Sequence, residues 1–187
     1  MSLSIHEQLR ACHVRRWHIV QTSREQTLAE HSFAVAVIAG SLAAAMRWRE
    51  LLHDSGKLKL LQWSLAHDII EVRTGDMPTP FKRELEAVGG KGIVEKAEDR
   101  VDPETMGAYR LVRGTDIETI VKLADQIEAI FFLQDNGVGA HAKQVLDGLR
   151  AHLSEAVREA ERAHPTLNVR EAVRRVCNDI GITGGWL

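Results

Sequence analysis

Aromatic side chains are scarce in this sequence: they make up 5% of 187 residues, against 44% hydrophobic overall. That balance suits one compact domain, long enough to bury a core without disulfide staples. Cysteine is sparser still. Cys12 and Cys177 stand in no CxxC or zinc-ligand spacing, which argues against a disulfide framework and fits free thiols in the cytoplasm. Charge of one sign is not in excess either. The net charge of -2 gives no reason to expect a nucleic-acid polymer or a membrane surface as partner. No run reaches the roughly 18 apolar residues of a membrane span. The opening MSLSIHEQLR has no apolar signal segment. Strand signals are missing as well. No stretch of four or more residues alternates with β-branched enrichment, and there are no repeats or low-complexity linkers. The expectation is a single all-α domain over residues 1–187.

What is present is helical periodicity. Ser4 is placed to cap a first helix to about His13. The stretch RRWHIVQTSREQTLA follows, too long for a tight turn and of the kind that often carries function. A second helix is expected from about Ala29 through Trp48. A third should run from about Lys57 to Arg73 and end at Thr74-Gly75. Pro78-Thr79-Pro80 opens the next, in the manner of a proline in the first helical turn. Gly89, Gly90 and Gly92 interrupt the 80–99 region, and Pro103 opens a short helix. Strong helices are expected over about 116–134, 139–163 and 168–179.

Three of these helices carry ionisable groups at core positions. His31 shares a face with Ala34, Val35, Ile38 and Leu42; it is either a core histidine bonded to backbone or a ligand. His67 and Asp68 extend the apolar pattern of the third helix, and Glu71, one turn on, overlooks the same centre. The alternative there is a surface charge cluster. Asp125 sits among Val121, Ala124, Ile127 and Phe132. A carboxylate in that company is costly unless paired with a cation such as Lys122 or Arg16, partly exposed, or bound to metal. Together the four make an N2O2 donor set. Such a set suits manganese, cobalt, iron, nickel or zinc, and magnesium less well. Four ligands leave coordination positions open, as catalysis requires. A competing pair, His53-Asp54, precedes the third helix; where His67-Asp68 is the ligand pair, His53-Asp54 simply ends a helix and Asp54 or Ser55 caps the next. A second helix continuing to His53 would place it about 33 Å from His31 at 1.5 Å per residue, which favours His67-Asp68.

EHS at 30–32, HD at 67–68 and LAD at 123–125 resemble the H…HD…D signature of HD-domain metal-dependent phosphohydrolases. RRW at 15–17, HDIIEVRTGDMPTPFK at 67–82 and VKLADQIEA at 121–129 are closer still to the 5′-deoxynucleotidase branch and its phage-encoded deoxynucleoside triphosphohydrolase relatives, dATP-specific ones included. The resemblance covers about residues 10 to 135, with the C-terminal helices, about 139–180, outside it. It implies an HD helical bundle and one divalent transition metal on His31, His67, Asp68 and Asp125. It also implies catalytic work for Glu71 and Asp76, a substrate-contacting RRW loop, and a small deoxynucleotide as substrate.

The residues themselves suggest how the chemistry would be divided. Glu71 can position or deprotonate water. Asp76 can pass a proton to the leaving oxygen or orient Glu71 or Thr79. Arg16 is the preferred phosphate ligand, since guanidinium binds phosphate oxygens bidentately. Trp17 offers a flat surface to sugar or base, and Ile19 and Pro80 offer apolar walls. Lys82, with Arg83 and Lys91, is placed for further phosphates or is simply a solvated helix face. Homo-oligomerisation is expected from the family and from a C-terminal tail rich in Ala, Leu and Val. The rival functions are an HD phosphodiesterase for cyclic or dinucleotides, and a helical interaction module whose His/Asp set has degenerated.

Overall fold

An 18-residue helix, α2 (Leu28–Ala45), forms the axis of the molecule. The structure, a computed structural model, describes residues 2–46 and 53–182. Ahead of α2 come α1 (Ile5–Gln8), a 3-10 turn (Leu9–Cys12) and the long loop. After it come α3 (Asp54–Ala66), α4 (Glu71–Thr74), α5 (Thr79–Gly89), α6 (Ile93–Val101), α7 (Pro103–Val112), α8 (Asp116–Asn136), α9 (Gly139–Ala163) and α10 (Val169–Asp179). Among the described residues there is no strand. Isolated bridges, Arg15 to Thr27 and Thr22 to Gly137, pin the long loop to itself and to the end of α8.

α2 packs against α3, α8 and α10. Being covered on several sides, it is apolar well beyond one stripe. Leu28, Val35, Ala39 and Leu42 are each fully buried along it. Its length and hydropathy match those of a membrane span, which corrects the expectation that no segment would. The physical reason is its central position: Val35, Ile38 and Leu42 join Ile127 and Ile130 of α8 and Val173 of α10 in one core cluster. Leu153 and Val157 of α9 close that cluster. The apolar residues of the C-terminal helices are thus spent inside this chain.

Helix ends follow local chemistry. Ser4 with Glu7, and Thr27 with Glu30, form two capping boxes, each cap worth about 1 kcal/mol. Gly75, at φ 74, ends α4 where a side chain would be strained. α5 opens on Pro80 in its first turn. The α8, α9 and α10 bounds agree closely with the periodicity. Three expectations differ. α2 reaches its C-cap at Met46, and the expected continuation through Arg47 and Trp48 lies outside the described residues. His53, not Asp54 or Ser55, is the N-cap of α3. The third helix is not continuous to Arg73 but breaks after Ala66 and resumes as the short α4.

Cys177 reports on the docking of α10. Burial pushes its thiol up to about 12, whereas Cys12 is exposed. Ellman's reagent at pH 8 should therefore titrate one thiol rapidly and the second only after denaturation. Two equally fast thiols would show that α10 is not packed as described.

Candidate metal centre and active site

The break between α3 and α4 places the His-Asp pair. Ser64 Oγ donates back to the Leu60 carbonyl at 2.8 Å, a bond that tends to bend helices. The α-helical ladder stops with His67 N–H on the Trp63 carbonyl. The following turns close three residues back: Ile69 on Ala66, Glu71 on Asp68, Val72 on Ile69. His67 and Asp68 therefore sit on a helix end rather than along a helix wall, and both reach one point.

That point is shared with α2 and α8. His31, His67, Asp68 and Asp125 each offer a ligand atom, and these atoms lie within 4.8 Å of one another. The two Nε2 atoms are 3.3 Å apart. Asp68 Oδ2 is 3.5 Å from each, and Asp125 Oδ1 is 3.3 Å from His31 Nε2. The far side of each ring meets an acceptor. His67 Nδ1 is 2.9 Å from the Ser64 carbonyl, and His31 Nδ1 is 2.6 Å from Glu128 Oε2. A proton on each Nδ1 leaves both Nε2 lone pairs facing one another and two carboxylate oxygens. Lone pairs so arranged repel unless a cation lies among them, and this donor set fits a divalent transition metal.

Electrostatics show the same demand for positive charge. Burial opposes ionisation of Asp68, but His67, His31 and Arg16 hold its carboxyl well below the usual range. Burial likewise opposes a charged His31, yet hydrogen bonds to Asp125, Asp68 and Glu128 push its pKa well above ordinary. Arg16, itself buried, is kept firmly protonated by Asp68, Asp125, Asp76 and Glu71. Its NH1 donates to Asp68 Oδ2 at 3.0 Å. Glu71 is 5% exposed. Burial first, then Asp68 and Asp76, push its carboxyl up to about 8, against the pull of Lys82. Lys82 Nζ is 3.5 Å from Glu71 Oε1. A dication on the four ligands would draw Glu71 back toward its ionised form.

Two polar atoms at this edge, Arg16 Nε and Glu71 Oε2, are buried without a partner among the described residues. Buried groups are seldom left so, and here both belong to residues bordering the metal cluster. A cavity of about 300 Å³ opens alongside, lined by His67, Asp68, Glu71, Lys82, Glu98 and Tyr109 among others.

The remaining sequence candidates divide. Asp76 accepts from the Trp17 backbone N–H at 3.2 Å, so the residue it orients is Trp17. Trp17 stacks on Phe132 at 6.0 Å and adopts φ 66, a left-handed conformation unusual for a large side chain. Ile19 in the long loop, Thr79, Pro80 and Arg83 in α5, and Lys91 in the turn after it are all exposed. Lys122 pairs with Glu118, not Asp125. His53 and Asp54 are exposed at the start of α3 and are not part of the cluster. The expected continuation of α2 toward His53 lies outside the described residues; the geometry of the cluster decides between the two pairs. Sequence reasoning missed Glu128, 1% exposed and bonded to His31. Its signal was available: a carboxylate three residues after Asp125, between buried Ile127 and Ile130, faces the same neighbour as Asp125.

Zinc or manganese added to chelator-stripped protein should bind at one per chain and raise the melting temperature. At free metal 100-fold above Kd the stabilisation is about 2.7 kcal/mol. His67→Ala and Asp125→Asn should each abolish the shift in differential scanning calorimetry. An undiminished shift in both would remove the cluster as the binding site.

A family model for 5′-deoxynucleotidase YfbR-like proteins matches residues 7–134. The dATP triphosphohydrolase of Cyanophage S-2L is 32% identical over 161 residues, 83% of this chain and 86% of that protein. That of Salmonella phage PMBT28 is 33% identical over 171 residues, 85% and 80% of the two chains. The 5′-deoxynucleotidase YfbR of Salmonella paratyphi B is 29% identical over 98 residues, 47% of this chain and 49% of that protein. The structure of the Cyanophage S-2L HD phosphohydrolase, bound to dA and one catalytic Zn2+ ion, aligns with a TM-score of 0.80 at 27% identity, over 98% of this chain and 100% of that one. That alignment takes in α9 and α10, which no sequence motif had placed. With its signature residues gathered at one point and the family match running through more than half its length, the chain belongs to the YfbR-like 5′-deoxynucleotidase family of HD-domain metal phosphohydrolases.

Proposed function

We propose that this enzyme hydrolyses the 5′-phosphoester of deoxynucleoside triphosphates, with dATP the foremost substrate, releasing deoxynucleoside and tripolyphosphate. The carrying observation is the four-ligand cluster bordered by two unpartnered buried groups, a guanidinium nitrogen and a carboxylate oxygen. The triphosphate reading is supported by the extent of similarity: the phage dATP triphosphohydrolases match over more than four fifths of this chain, the monophosphate enzyme over less than half.

His31, His67, Asp68 and Asp125 would hold the metal. When bound, it supplies Lewis-acid neutralisation of phosphoryl charge. The protein's own groups do the rest. Arg16 offers its free Nε to a phosphate oxygen while NH1 stays on Asp68. Glu71 presents Oε2 to the attacking water and takes its proton. Lys82 sits beside the other Glu71 oxygen, where it steadies the carboxylate and adds positive charge for the phosphate chain. Water attacks the α-phosphorus, the bond to O5′ breaks, and the proton that Glu71 took from the water passes to O5′ as the deoxynucleoside leaves. Asp76 fixes the Trp17 backbone, which sets the indole as a wall for the sugar or base. Ile19, Thr79 and Pro80, exposed beside this region, complete the rim in the same reading.

Chromatography of a reaction panel tests the proposal. dATP should yield deoxyadenosine and tripolyphosphate with manganese, cobalt or zinc. Turnover of dAMP with dATP untouched would replace the triphosphate reading by the monophosphate one. Hydrolysis of a cyclic dinucleotide alone would favour the phosphodiesterase alternative. Glu71→Gln should lower kcat by about 10²–10⁴-fold, and Arg16→Ala should lower it by about 10²–10³-fold, both with metal stoichiometry retained.

The protein also acts as a homo-oligomer in this reading, in the cytoplasm and apart from membranes. The C-terminal apolar residues are buried in the chain's own core, so they do not supply the contact. Support comes instead from Phe33 and Val37 on α2 and Leu61 and Leu65 on α3, all exposed, on helices that pack together. Multi-angle light scattering should give a mass well above 20.9 kDa, and Phe33→Asp with Leu61→Asp should return it to the monomer value. A monomeric parent would overturn oligomerisation without touching the hydrolase reading.

A further inference from the structure

A hydrogen-bonded chain of four side chains runs from the long loop into the metal centre, and its ends have different chemistry. Trp17 Nε1 donates to Gln26 Oε1 at 2.8 Å. Gln26 Nε2 donates to Glu128 Oε1 at 2.6 Å. Glu128 Oε2 meets His31 Nδ1 at 2.6 Å. Gln26, Glu128 and His31 are 2%, 1% and 0% exposed, so water does not substitute for a missing partner. Gln26 and Glu128 lie 102 residues apart in sequence, and neither belongs to the metal cluster.

The direction of the chain is set at its loop end. An indole N–H can donate but never accept. It therefore turns the Gln26 amide so that its oxygen faces Trp17 and its nitrogen faces Glu128. Glu128 is then an acceptor on both oxygens, and His31 must carry its proton on Nδ1. Only that tautomer presents the Nε2 lone pair to His67, Asp68 and Asp125. We infer that Trp17, Gln26 and Glu128 form a polarity relay that fixes the tautomer of His31, with Glu128 the link on which metal affinity depends. Glu128 and Gln26 are positioning residues: they act through His31 and touch neither substrate nor metal. The same bonds hold the indole while Asp76 holds the Trp17 backbone at φ 66. The left-handed residue is thus restrained from both ends.

The relay makes an unusual demand on substitutions. In Glu128→Gln the new amide has one donor side. If that side faces Gln26, two N–H groups collide. If it faces His31, the ring must accept at Nδ1, and its proton moves to Nε2, toward the metal. Either arrangement weakens metal binding. Trp17→Phe removes the donor that holds the Gln26 amide oxygen, leaving Gln26 able to turn over. In the double variant Gln26 turns, the new amide oxygen faces His31, and the ring regains its metal-binding tautomer. Adding a second substitution should therefore restore what the first removed.

The inference rests on the metal reading above, and its test is zinc affinity by competition with a fluorescent chelator, with circular dichroism melts confirming folding. Glu128→Gln should weaken zinc binding by about 10–100-fold, the range typical of ligand-orienting partners. Trp17→Phe alone should change it little. The double variant should recover most of the loss. Equal or greater loss in the double variant overturns the relay, as does wild-type affinity in Glu128→Gln; in both cases the metal reading stands. A parent protein that binds no zinc sinks both. If Glu128→Gln does not fold, Gln26→Met cuts the chain at its middle without adding a charge. Its zinc affinity should fall, and an unchanged affinity would again overturn the relay.

Discussion

Two imidazole nitrogens and two carboxylate oxygens, aimed at one point and unable to satisfy one another, are the constraint on which this protein depends. With the rings neutral and a proton on each Nδ1, none of the four can donate; a charged His31 relieves part of that demand. The fold therefore stores an electrostatic demand that a cation meets. Arg16 answers part of it from the loop side, which explains why a buried guanidinium stays charged. Glu71 shows the opposite face of the same field. Close to Asp68 and Asp76, and shielded from water, it is driven toward its neutral form until positive charge arrives. A cation held by the four ligands would thus also favour the ionised form of Glu71.

The helices are arranged so that this demand has no easy escape. α8 grips His31 from both sides, with Asp125 at Nε2 and Glu128 at Nδ1, one helical turn apart. α3 ends just where His67 and Asp68 are needed, and the tight turns that follow aim Glu71 inward. The long loop closes the remaining side through Arg16 and through Trp17, whose strained backbone is held by Asp76. Rigidity is concentrated at the ligands, while the apolar core of α2, α8, α9 and α10 supplies the stiffness behind them.

Much of this could be read from sequence, because it is local. The 3.6-residue pattern located α8, α9 and α10, and Gly75 and Pro80 marked real boundaries. The ligand residues stood out as polar groups in apolar company. What was hidden depends on distant partners or on small changes in helical geometry. The Thr27–Glu30 capping box begins α2 at Leu28, one residue ahead of the start the periodicity suggests. The switch from four-residue to three-residue bonding after His67 has no compositional marker, and the third helix was read straight through it. Glu128 and Gln26 looked like ordinary polar residues, because their partners lie about a hundred positions away. The Ala- and Val-rich C-terminal helices suggested an interface because the sequence does not say that α2 is waiting for them.

That waiting has a consequence during synthesis. α2 leaves the ribosome as an apolar helix with hydropathy equal to a membrane segment, yet α8 and α10, which cover it, emerge some 70 to 150 residues later. At about 5–20 residues per second the nascent chain carries this surface, with only α3 at hand to cover it, for several seconds.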